Sequence, residues 1–101
     1  MKLKYKNEEI DVTTTTNKTI MKYRIQKLYY AIVIKNCNRY SSIANKQRID
    51  VVMTDENLTI LSIKLGMHEN TVFEDKNATT TVLLPLGSIT TLEVGQRLIL
   101  E

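Results

Sequence analysis

The chain has 101 residues, 43% hydrophobic and 25% charged, with a net charge of +3, which fits one ordinary globular domain spanning 1–101 with a single core. Its one cysteine, Cys37, excludes an intrachain disulfide framework. No apolar run approaches the roughly 20 residues of a membrane-spanning helix, and the charged start "MKLKYKNEEID" is no signal peptide. As it stands this favours a cytoplasmic location, whereas an apolar segment upstream would make it an exported domain.

The charge is divided unevenly. Residues 1–48 hold eleven basic against three acidic groups, a balance of +8, and residues 49–101 hold three against eight, a balance of −5. A basic half attracts nucleic acid or an anionic surface, or it faces the acidic half of the same fold.

In chain order, "KLKYKNEEIDVT" alternates Leu3 and Tyr5, then Ile10 and Val12, against charged neighbours. Period-two alternation predicts a hairpin turning near Asn7. Thr13–Thr16 are β-branched and suit the end of an extended strand. Asn17 stands as an N-cap, and Met21, Ile25, Leu28 and Tyr29 follow at i, i+4, i+7 and i+8. That spacing predicts one amphipathic helix, roughly residues 18–28. Lys18, Lys22, Arg24 and Lys27 lie around its other side and form the candidate anion-binding face. The stripe is narrow and lacks an aromatic wedge, so packing on a sheet with the lysines in water is the preferred reading over membrane or phosphate binding.

"YYAIVIKN" (29–36) reads as a buried strand, and "CNRYSSIANKQR" (37–48) as an irregular loop. "IDVVMT" and "LTILSIKL" flank Asp55-Glu56-Asn57 and make the clearest hairpin. "GMHENTVFEDKN" (66–77) reads as a second polar loop. The closing "TTTVLLPLGSITTLEVGQRLILE" predicts a strand through Leu84, a turn of helix near Ser88–Leu92 and a last strand from Arg97. Pro85 fixes φ as the first of these strands ends, and Gly87 and Gly95 supply turns. The expected core comprises Ile25, Leu28, Ile32, Ile34, Val51, Met53, Leu58, Ile60, Ile63, Val82, Leu84, Ile89, Leu92, Val94 and Leu98.

No chemical constellation emerges from these elements. Cys37 and His68 supply at most two ligands, short of the three or four that zinc needs, and no cofactor is implied. A Cys37 nucleophile with His68 as base would make an enzyme, but nothing local marks the thiol as activated. Asp50 and Asp55 are five apart on a strand and point to opposite faces, so they form no catalytic pair there. Asp55 instead starts the turn through its side chain. Three glycines in all cannot build a phosphate cradle. Asn-x-Thr triplets at Asn17, Asn57 and Asn77 matter only on a eukaryotic secretory route.

"AIVIKNCN", "IDVVMTDENLTIL" and "TTTVLLPLGSITTLEVGQRLIL", in that order and spacing, resemble the small prokaryotic proteins grouped as domain-of-unknown-function family 192, from about residue 31 onward. The matching positions are Ile49, Asp50, Val51 and Asp55, then Leu83, Pro85, Gly87, Val94 and Gly95. The resemblance implies a mainly β domain with a short helix and no assigned chemistry. Departures are clear: "YSSIANKQR" replaces an aromatic-rich segment, "KTIMKY" lacks an Arg-x-x-Gly-Leu-Met motif, and Gln96 replaces an acidic residue. They point to a divergent member that keeps the fold better than the function.

The expected architecture is therefore α+β and mainly β, a curved or barrel-like sheet of six to seven strands with one amphipathic helix. The expected role is a non-enzymatic binding or structural module. Nucleic-acid binding by the basic half is the alternative, and the strand–Pro–Gly–turn–strand cadence of 82–100 has an analogue in small swapped-hairpin transcription factors.

Overall fold

A computed structural model of the chain describes residues 1–16, 27–42 and 47–101. The alternation of the first residues gives β1 (Lys2–Tyr5) and β2 (Glu8–Thr16), paired antiparallel with Leu3 opposite Ile10. Lys6 makes the turn at φ 53°. The four threonines extend β2, as their β-branched side chains predict, and Thr13 and Thr15 stand beside Ile32 and Ile34 of β3 (Ala31–Lys35). This pairing is parallel, so a crossover must link the two strands. The predicted helix 18–28 falls in that connection. Residues 17–26, with Ile25, lie outside the described residues; Lys27 and Leu28 are not helical.

The clearest predicted hairpin forms as β5 (Ile49–Thr54) and β6 (Ile60–Met67), antiparallel and interrupted by two register shifts. Strand β8 (Thr80–Pro85) lies between β5 and β3, antiparallel to both. With β9 (Ile99–Leu100) the sheet order is β6-β5-β8-β3-β2-β1-β9. Its middle strands read as near-continuous apolar runs because both their faces are buried. One face carries Ile34, Ile49, Val51, Met53 and Leu83, packed with Leu28, Cys37 and Tyr40. The other carries Val33, Val52, Val82 and Leu84, packed with Leu3, Tyr5, Ile60, Ile89 and Leu98.

The seven-stranded sheet curls, and the C-terminal segment joins its two edges. The Gly95 amide donates to Ile60 O, and the Ile60 amide donates to Gln96 O, each at 2.8 Å. Three residues on, Ile99 and Leu100 pair with Lys4 and Leu3 of β1. The closing role expected of this segment is thus realised by backbone hydrogen bonds to both β6 and β1.

Several local expectations differ from what forms. The two polar stretches read as loops each contain a short strand, β4 (Arg39–Ser41) and β7 (Val72–Glu74), which pair with Tyr40 opposite Phe73. Their apolar rings pack on the first core. Ser88–Leu92 is irregular, with no helical turn. Val94, expected in the core, is 63% exposed because it sits in the turn that leads to Gly95. Tyr29 and Tyr30, expected in a buried strand, are 70% and 45% exposed, since β3 begins only at Ala31. Leu58, Ile63 and Leu92 are partly buried against the second core.

Candidate functional site

Asp50 and Gly87 meet at one end of the sheet. Asp50 sits on β5 next to Ile49, and Ile49 pairs with Pro85 at the end of β8 and with Met67 at the end of β6. The Asp50 side chain is buried, and its two oxygens accept from different turns. Oδ1 takes the Gly66 amide at 2.8 Å and Oδ2 takes the Gly87 amide at 2.9 Å. Both glycines are left-handed, Gly66 at φ 60° and Gly87 at φ 71°. Gly87 occupies the third position of a turn closed by the Ser88 amide donating to Pro85 O at 3.0 Å. A type II turn requires positive φ there, which is why glycine fits. A carboxylate in such a place needs charge-assisted donors, and the two amides provide them.

Arg48 completes this end. Its Nε donates to Gly66 O at 3.2 Å, so Gly66 is held from both its amide and its carbonyl. Beside it lie Pro85 at the end of β8, Leu86 in the turn that follows, and the Tyr29-Tyr30 pair just ahead of β3. The Gln47 Oε1 accepts the Leu28 amide at 2.8 Å and ties the approach to β5 to the approach to β3. Leu86 is 52% exposed, and the Lys27 Nζ stands 5.1 Å from the centre of the Tyr29 ring. The outer rim of this sheet end thus exposes Tyr29, Tyr30, Leu86, Lys27 and Arg48, with His68 and Glu69 past the end of β6, over a buried carboxylate already engaged by backbone.

The other candidate residues take structural places. Asp55 Oδ1 accepts the Asn57 and Thr59 amides at 2.9 and 3.0 Å, the turn-starting role that its side chain predicts. It lies beyond the far end of β5, well away from Asp50 along the strand. Cys37 is buried, its thiol donating to Arg39 O at 3.3 Å and its carbonyl accepting from the Thr81 hydroxyl at 2.9 Å. His68 is exposed, and the structure uses its backbone carbonyl, which accepts from the Ser42 hydroxyl at 2.5 Å and from the Thr71 hydroxyl at 2.7 Å. Among the described residues no three His, Cys, Asp or Glu side chains gather to hold a metal ion. Nor is any helix among them long and apolar enough to cross a membrane.

Of the predicted anion-binding face, Lys18, Lys22 and Arg24 lie outside the described residues and Lys27 alone is placed. The lysines of β1 and of the turn after it face acidic partners instead. Lys2 pairs with Asp11 at 2.6 Å, Lys4 with Glu101 at 2.7 Å and Lys6 with Glu93 at 3.5 Å. Hydrogen bonding to Asp11 raises the Lys2 ammonium above its ordinary value, and the same contact lowers the Asp11 carboxyl. Lys4 is raised by Glu101 in the same way. Part of the basic half thus faces part of the acidic half within one chain.

Sequence patterning missed Tyr29, Tyr30 and Leu86 as surface features. Two adjacent tyrosines ahead of a β-branched run were the available signal, because alternation cannot bury both and each hydroxyl needs a partner or water.

Comparison with known proteins adds fold but no chemistry. No family model and no curated protein matches the chain. Two solved structures share its fold. One is a candidate transcription regulator from Sinorhizobium meliloti 1021, with a TM-score of 0.76 and 9% identity over 91% of this chain and 82% of that one. The other is a protein of unknown function from Novosphingobium aromaticivorans DSM 12444, with a TM-score of 0.75 and 5% identity over 92% and 76%.

Proposed function

We propose that this chain is a non-enzymatic binding or structural module, a divergent relative of domain-of-unknown-function family 192. One observation carries the reading: the buried motif carboxylate, Asp50, has both oxygens engaged by the Gly66 and Gly87 amides. A buried carboxylate held at each oxygen by a backbone amide organises the two turns it joins. The joining of Asp50 to Gly87, two positions of the family pattern, supports the relationship. What the sheet end offers to a partner is then its outer rim, where Tyr29, Tyr30 and Leu86 are exposed.

The rival reading is an enzyme built on Cys37 and His68. The burial of the thiol in the first core and the exposure of the histidine weigh against it. A panel of esterase, phosphatase, peptidase and glycosidase substrates tests the choice. We expect no turnover above the buffer rate. Turnover abolished by Cys37→Ala or His68→Ala would replace the module with an enzyme.

A nucleic-acid role is the second reading, favoured by the description of the Sinorhizobium neighbour as a candidate regulator of transcription. The ion pairs of Lys2, Lys4 and Lys6 argue against β1 as the contact surface, and turn attention to cations elsewhere.

A further inference from the structure

We draw no further inference here: the strongest candidate, the surface patch of exposed Tyr29, Tyr30 and Leu86 at the sheet end where β3 begins, is unpartnered and of mixed charge, and nothing in the structure shows what covers it.

Discussion

Asp50 shows how one buried side chain can order an entire end of a sheet. Its oxygens reach the β6 end through Gly66 and the turn after β8 through Gly87, joining segments 16 and 37 residues away in sequence. Truncation in Asp50→Ala orphans two buried or half-buried amides, and we expect a loss of about 3–4 kcal/mol, read from denaturant unfolding. Asp50→Asn keeps the shape but turns an amide donor toward a backbone donor, and should cost less, about 1–3 kcal/mol. The two glycines separate conformation from packing. A Cβ at Gly87 meets no atom within 4 Å, so Gly87→Ala should cost only the left-handed backbone, about 1–2 kcal/mol. At Gly66 a Cβ would lie 2.8 Å from the Arg48 guanidinium. Gly66→Ala should therefore be the more damaging of the two, because Arg48 must also give up its bond to the Gly66 carbonyl. Equal unfolding midpoints for the two variants would refute this assignment.

Among the elements, β1 has charges that carry their own pH signature. The Asp11 carboxyl lies below its ordinary value of 3.8 through its hydrogen bond to Lys2, and Lys2 lies above 10.5 by the same contact. A depressed carboxyl stabilises the fold above its unfolded value, and loses that contribution as pH falls through the folded value. A raised ammonium contributes below its unfolded value and loses this as pH rises through the folded one. The pair is thus at full strength from pH 4 to 10, roughly. Asp11→Asn should melt slightly below the parent at pH 7 and coincide with it at pH 2, with a small gap because both groups are exposed. A gap that is unchanged by acid would contradict the pairing.

Legibility in the sequence also varies by element, and for physical reasons. The β5–β6 hairpin was readable because its signal is local: apolar runs on either side of an Asp whose side chain caps the turn. Strands β4 and β7 were not, because three residues each carry no period, and the strands exist through a pairing 33 residues apart at Tyr40 and Phe73. Asp50 drew notice through a resemblance, yet its place in the fold depends on two distant glycines that spacing does not bring together. Val94 failed because an apolar residue beside a glycine turn follows the turn and not the hydrophobic pattern.

At the scale of the molecule the account turns on closure. Seven strands curl until residues 95–100 touch both β6 and β1, so the last strand completes a core that the first strand began. Edge pairing is limited on the β6 side by two register shifts and by the exposed Lys64, devices that discourage addition of further strands. Leu98 is buried in the core shared with Leu3 and Tyr5, and its amide donates to Leu58 O. We expect Leu98→Ala to cost about 2–5 kcal/mol and to lower the melting temperature by about 8 °C or more, at about 4–8 °C per kcal/mol. A change within 2 °C, roughly, would mean that the C-terminal segment is an ornament and no part of the fold.

The central claim is that the buried Asp50 carboxylate holds the backbone of two turns at this end of the sheet. Amide hydrogen exchange at Gly66 and Gly87 tests it most directly. Both amides should be protected in the parent chain, and both should exchange markedly faster in Asp50→Ala under conditions where the β5 and β8 amides stay protected. Free exchange of both in the parent would contradict the clamp, and with it the reason for reading Asp50 as structural.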